Sequence, residues 1–290
     1  MPTSKKPRKP KSETKTADAK RAADVVPLPN RRAMEALLSQ LGGRRADTLD
    51  AAQDLMYSAW ETSDRRRRIS LARKALSLSP KCADAYVLLA EETANTPAEA
   101  IDLYRQGVEA GEKALRKAAF KNDAGHFWGI LETRPYMRAR SGLAQALWAS
   151  GQHEEAIDHY RELLRLNPND NQGNRYLLAA CLLALERDTE LKVLLDTYGR
   201  EHTADWSYTT ALVAFREGGD TAAAQTCLAE ALKINKHVPL YLLGKRKIPL
   251  RPSSYITMGG EDEAQEYVRS CGPAWRRTTG ALEWLERNSP

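Results

Sequence analysis

The strongest constraint on this chain is a pattern that returns. Residues 143–168 read LAQALWASGQHEEAIDHYRELLRLNP, with Leu143 and Ala144 on one helix, Gly151 at a turn, Ala156 and Tyr160 on a second helix, and Pro168 just beyond it. Sixty-eight residues later, twice thirty-four, Leu212, the Gly219–Asp220 turn, Ala224, Leu228 and Ala231 stand in the corresponding places. One helix–turn–helix unit of this length cannot bury its own apolar face, so such units stack on their neighbours into one continuous core.

Weaker copies flank the best one. Residues 171–204 hold YLLAACLLAL and ELKVLLDTY in the same phase, but with Glu190 where the small alanine is expected. RKALSLSP ends at Pro80 as RELLRLNP ends at Pro168, closing a helix pair over about 49–82. DAYVLLAEET, NTPAEA and IDLYRQGV form another over 83–108. There Thr96-Pro97-Ala98-Glu99 is a capping box with proline at the first helical position. The 34-residue unit, the small residues at the helix contact and the terminal proline resemble the tetratricopeptide repeat (TPR) superfamily. The fold class expected is all-α: a right-handed α-solenoid of about five TPR-like helix pairs with C-terminal capping helices.

The repeats are framed by other segments. A basic tail over 1–30 is expected to be disordered, followed by an N-terminal helix and linker over 31–48 and the repeats over 49–238. The tail concentrates charge: residues 1–24 carry eight basic and three acidic residues, leaving 36 basic and 35 acidic residues, or +1, of the overall +6 elsewhere. Spacing breaks in an irregular insert at about 109–136, where the helix begun at Pro97 is expected to run through Lys121. Within NDAGHFWGILETRPYM, residues His126, Phe127, Trp128, Glu132, Arg134 and Tyr136 read either as a binding loop or as a plug for the irregular spacing. Residues 239–290 read as an irregular segment and two capping helices, over 261–271 and 274–287, with Trp275, Leu282, Trp284 and Leu285 sealing the stack.

A narrower resemblance rests on ETRPYMRA, LNPNDNQGNRYLL, HVPLYLLGKRKIP and AWRRTTGALEWL. Together, over about 50–287, they resemble bacterial TPR proteins distantly similar to the suppressor-of-tumorigenicity family. The resemblance implies no residue-level activity. The cysteine-rich zinc motif expected of some relatives is missing, so zinc-dependent function does not carry over.

Catalytic constellations are scarce. His153 and His159 are six apart, so they cannot share a metal as the two histidines of H-E-x-x-H do, and both read as solvated. Arg65 to Arg68 likewise reads as a solvated run, or as a patch for phosphate or an acidic partner. No metal, cofactor or catalytic residue is assigned. Cys82, Cys181, Cys227 and Cys271 lie far apart without C-x-x-C, which points to a reducing, cytoplasmic setting. Cys181 and Cys227 read as small core residues. Mean hydropathy of −0.57 and a longest apolar run of only Tyr176–Leu185 argue against a membrane span or a membrane partner.

Function is therefore read from surfaces. The first helices of TPR-type pairs line the groove. Counted from Ala156 and Pro168, the groove-facing set is Arg138, Gln145, Trp148, Asn171, Asn174, Arg175, Trp206, Thr209 and Arg216, with Trp128, Glu132 and Arg134 added from the insert. Trp and Arg are common binding hot spots. The competing reading has the tryptophans packed between repeats and the arginines paired with acids. Ser141, Gln145, Tyr176, Trp206 and Thr210 stand where a chaperone carboxylate clamp needs Lys and Asn, so that mode is not expected. The function expected is a non-enzymatic scaffold for a protein or peptide. The alternative is a nucleic-acid-associated factor, with weak contact through the basic tail.

Overall fold

A helix leaves its first amides without intrahelical partners, and this sequence supplies side-chain acceptors for them at one boundary after another. Asp64 accepts from Arg66 N and Arg67 N, Thr96 from Glu99 N, Thr203 from Trp206 N and Thr221 from Ala224 N. In the computed structural model, which describes residues 48–199, 201–253 and 255–289, these caps open helices in the first, second and fifth of five successive pairs. They are α1 (Thr48–Glu61) with α2 (Arg65–Leu78), α3 (Ala83–Thr93) with α4 (Pro97–Asn122), and α5 (Arg134–Ala149) with α6 (His153–Leu166). Then come α7 (Asn174–Ala184) with α8 (Asp188–Thr197), and α9 (Ala204–Gly218) with α10 (Ala222–Ile234). Three further helices follow, α11 (Val238–Leu242), α12 (Glu261–Arg277) and α13 (Ala281–Asn288), and no strand occurs among the described residues. The chain is thus an all-α solenoid of TPR-like pairs. The tail and most of the N-terminal segment, residues 1–47, lie outside the described residues.

The small residues sit at the close approaches. Ala144, Ala156, Ala224 and Ala231 are fully buried, with Leu143 and Tyr160 at 2% and 1% exposure. At Gly142 a Cβ would overlap the ring of Tyr104, so glycine is what lets α5 approach α4. The fourth pair is offset by one residue from the phase expected. Gln152 N donates to Leu147 O across the α5–α6 turn, and Arg187 N donates to Leu182 O across the α7–α8 turn, a shift of thirty-five rather than thirty-four. The left-handed position of that turn is Gly151 in one pair and Glu186 in the other. Leu191, fully buried, therefore takes the contact position, and Glu190 turns outward to Arg161 and Arg187.

Two helix expectations are corrected. The helix begun at Pro97 does not run unbroken: Arg116 has φ 63° and ψ 159°, which kinks α4. Beyond the kink Phe120 packs its ring 5.2 Å from Phe127 and 5.0 Å from Tyr136. The expected break at Pro273 does not occur either. Pro273 lies inside α12, which continues to Arg277, and the chain turns instead at Gly280, with φ 78°. Proline removes one backbone donor, yet Trp275 and Trp284 lock the segment by stacking at 6.3 Å and 11°. Both are fully buried, and Leu285 with them, so the stack is sealed at this end.

Helix α12 does more than seal. It packs on α7 and α9, the first helices of the fourth and fifth pairs. Glu263 of α12 accepts from Ala204 N and from Asn235 Nδ2, and Arg277 donates to Ala184 O. The inner face of these two pairs is therefore already occupied by the chain itself.

Ala156→Leu forces two close-packed helices apart and is expected to cost about 1–3 kcal/mol, a fall in thermal midpoint of roughly 2–12 °C. Leu191→Ala should cost about 2–5 kcal/mol and Glu190→Ala no more than about 1 kcal/mol. Urea denaturation of the three variants checks the offset, because the order reverses if Glu190 holds the contact position.

Candidate functional site

Across the first helices runs a line of polar contacts. Asp84 of α3, fully buried, accepts from Gln53 Nε2 of α1 at 2.7 Å and from Arg138 of α5 at 2.7 Å (Nε) and 2.6 Å (Nη2). The Arg138 guanidinium also lies 5.2 Å from the centroid of the Trp60 ring. One turn along α5, Ser141 donates to Asn174 Oδ1 of α7 at 2.8 Å. A forked guanidinium matched to a carboxylate is among the stronger charge-assisted contacts, so four first helices are tied in register.

In this geometry several of the expected groove residues make contacts within the fold. Arg138 is committed to Asp84, with only 12% of its side chain exposed. Asn174 is buried between Ser141 and the α6–α7 turn, where its N–H donates to Asp170. Arg175 pairs with Asp170 at 3.0 Å and Glu201 at 2.8 Å and lies over the Tyr176 ring. Trp206 is buried, donates Nε1–H to Leu195 O and meets Tyr176 edge-on at 5.3 Å. Thr209 is buried under α12, and Arg216 pairs with Asp188 at 2.9 Å and donates to Thr278 Oγ1 of the same C-terminal segment. Trp148 is half-buried against His153, with centroids 4.2 Å apart. In each case a residue read as a hot spot joins helices to one another. Gln145 and Asn171 remain exposed.

The insert packs as a plug. Phe127, Trp128 and Tyr136 are buried, Thr133 Oγ1 donates to Ile130 O, and Arg134 donates to Trp128 O while its guanidinium lies 5.3 Å from that ring's centroid. Trp128 and Arg134 thus close the gap between α4 and α5, leaving Glu132 exposed at its edge. Arg65, Arg66 and Arg67 are exposed, whereas Arg68 is half-buried; Arg65 and Arg68 both pair with Glu92 of α3.

What stays open is a cavity of about 560 Å³ on the first-helix face, ahead of the stretch covered by α12. Val87 and Glu91 of α3, Tyr104 of α4, Arg138, Ser141, Gln145 and Ala146 of α5 and Gln172 of the next turn line it. Burial, and then the Glu91 charge, push the Tyr104 phenol up to about 12, so it stays a neutral hydroxyl. The lining offers hydroxyls, amides, one carboxylate and the Asp84-paired Arg138 guanidinium around a small apolar floor. It can bind through hydrogen bonds. A second cavity, about 460 Å³, opens between α8, α9 and α10 over Leu195, Trp206, Val213 and Cys227, with Asp196, Glu201 and Glu230 at its rim. Of the groove set counted from the repeat phase, Trp206 lies in its lining.

Among the described residues the buried thiols are held protonated. Burial pushes Cys82 and Cys181 up to about 12, and all four cysteines are free thiols. No group of three His, Cys, Asp or Glu is arranged to hold a metal ion among the described residues. His159 corrects the solvated reading: its side chain is 15% exposed, and burial, helped by the Arg140 charge, pushes it down to about 4.

Two predictions follow from these pairs. Arg138→Ala leaves the buried Asp84 charge without its cation and should cost about 3–5 kcal/mol, whereas Asp84→Leu with Arg138→Met should recover most of that loss in urea denaturation. The folded chain keeps His159 neutral below the unfolded value of about 6.5, so it binds fewer protons than the unfolded chain between pH 6.5 and 4. Its contribution is whole above pH 6.5 and is lost as pH falls towards 4. His159→Gln should flatten the acid limb of stability against pH by on the order of 2–3 kcal/mol. An unchanged limb would place the titration elsewhere.

With the geometry in place, the chain can be compared with known proteins. The family model described as ST7 protein matches residues 43–288. A Caenorhabditis elegans protein ST7 homolog is 32% identical over 276 residues, covering 81% of this chain and 50% of that protein. A Gallus gallus suppressor of tumorigenicity 7 protein-like chain is 30% identical, covering 82% and 47%, and the Mus musculus suppressor of tumorigenicity 7 protein is 29% identical, covering 83% and 49%. The chain spans about half the length of these curated relatives. Among solved structures, YrrB, described as a TPR protein with an unusual peptide-binding site, superposes with a TM-score of 0.45 at 18% identity, covering 64% of this chain and 84% of that one. So loose a superposition carries no argument about the site. No helix of the described residues is long and apolar enough to cross a membrane.

Proposed function

The chain belongs to the ST7 protein family, and within it we propose that this protein is a non-enzymatic scaffold that binds a peptide segment on the inner face of its third helix pair. The observation that carries the reading is the 560 Å³ cavity between α3, α4 and α5, open where α12 does not reach. Its hydroxyls and amides suit an extended segment that exposes backbone hydrogen-bonding groups. The buried Asp84–Arg138 pair holds the walls in place, so little ordering is needed on binding. Two residues of the expected groove set line the cavity, Gln145 as an exposed wall and Arg138 as a wall held by Asp84. A cytoplasmic setting, where thiols stay reduced, belongs to the same reading.

The nucleic-acid alternative rests on the basic tail, and no feature of the described residues favours it over peptide binding. Selection of a random peptide library on the full chain, followed by titration of enriched peptides, tests the proposal. Gln145→Trp fills the cavity mouth and should weaken those peptides at least tenfold while leaving the thermal midpoint within about 2 °C, the shift that roughly 0.5–1 kcal/mol would produce. Peptides that bind Gln145→Trp as tightly as the parent chain would reject the site.

A further inference from the structure

The fold has no use for one group of side chains. Between α11 and α12 the chain projects as an irregular segment in which Leu250 is 101% exposed, Tyr255 71%, Met258 60% and Ile256 57%. Lone exposed apolar side chains are ordinary, but several large ones together mark an interaction site. From Leu243 to Gly260 the sequence LGKRKIPLRPSSYITMGG holds four basic residues and no acidic one. Lys245 reaches Glu286 at 3.5 Å, Arg246 pairs with Glu261, and Arg269 donates to Pro249 O, so the base of the projection is fastened to α12 and α13. At its exit Thr257 N donates to Asp262 Oδ2, and Gly259 N to Glu263 Oε2, both at the start of α12. Lys247 and Arg251 stand exposed beside the apolar side chains.

We propose that this projection docks the protein on an anionic lipid surface, with Leu250, Tyr255, Ile256 and Met258 entering the interface and Lys247 and Arg251 at the headgroup level. Apolar side chains interleaved with lysine and arginine, and free of acidic residues, combine the two attractions that hold proteins at such a surface. Shape favours lipid over a protein partner. A protein interface needs a continuous complementary face of about 800 Å² on each side. Here Leu250 stands fully clear of its neighbours, and a fluid interface accommodates splayed side chains that a fixed one does not. The segment is no helix and spans nothing; it touches one leaflet.

The full chain carries its own basic tail, which can gather on anionic vesicles by charge alone, so the readout must report on the projection itself. Leu250→Cys in a Cys227→Ser background is labelled with an environment-sensitive fluorophore, the other three cysteines being buried. Mixed phosphatidylserine and phosphatidylcholine vesicles should raise the probe's emission several-fold with a blue shift, and phosphatidylcholine alone should do much less. Ile256→Glu with Met258→Glu should abolish the change, and Lys247→Glu with Arg251→Glu should shift it to several-fold higher lipid. Co-sedimentation with vesicles but a silent probe would assign binding to the tail and overturn the proposal. So would an emission change that depends on protein concentration without lipid, which would assign the projection to a second copy.

Discussion

Asp84 is the point on which the stack turns. The apolar core is divided: one cluster, with Met56, Ala72 and Leu88, belongs to α1, α2 and α3, and a longer one runs from Ala83 and Val87 to Leu285. Helix α3 belongs to both, and Asp84 on it is joined to Gln53 on one side and Arg138 on the other. Apolar contacts hold neighbouring helices together but allow sliding, since they are proportional to area and indifferent to direction. A forked ion pair is not indifferent. It fixes the rotation of α5 against α3, and that rotation places Ser141 against Asn174 and Gln145 at the cavity mouth.

The second organising contact is the return of the chain on itself. A stack of helix pairs leaves its first helices facing a groove, and here α12 enters that groove over the fourth and fifth pairs. The interior it creates is aromatic: Tyr208, Tyr267 and Trp275 cluster there, with Tyr208 and Tyr267 centroids 5.7 Å apart and Trp275 donating to the Tyr267 hydroxyl. Tyr208 is far in sequence from Tyr267 and Trp275 and meets them because α12 is long enough, at seventeen residues, to cross both helices. The exposed projection before it is the connection this crossing requires.

Much of this was legible in the sequence. The turn at Gly151, the alanines at the contacts and the capping box at Thr96 are local signals, and the helices they mark lie where those signals put them. The sealing role of Trp275, Trp284 and Leu285 was legible for the same reason. Less could be read where one residue shifts the phase, as at Glu186, whose left-handed conformation stands in for a glycine. The candidate site was the least legible part. Arg138, Arg175, Arg216 and Trp206 have the composition of binding hot spots, but composition does not say whether an acid or a carbonyl lies within reach. Asp84 is fifty-four residues before Arg138 and inside an apolar run. Thr209 and Arg216 were read as groove-facing, and only the path of α12 reveals that it lies over them.

That covering has a temporal side. Most contacts in a helical stack join neighbours in sequence, so each pair can form as soon as it and the pair before it exist. The fourth and fifth pairs are different, because Ala204 waits for Glu263, Ala184 for Arg277 and Arg216 for Thr278, partners up to ninety-three residues further along. As the chain leaves the ribosome from its N-terminus, at about 5–20 residues per second, the first three pairs and their cavity can close while the inner face of the last two still lies open to solvent. For several seconds the first helices of all five pairs stand uncovered, where the finished protein leaves those of three.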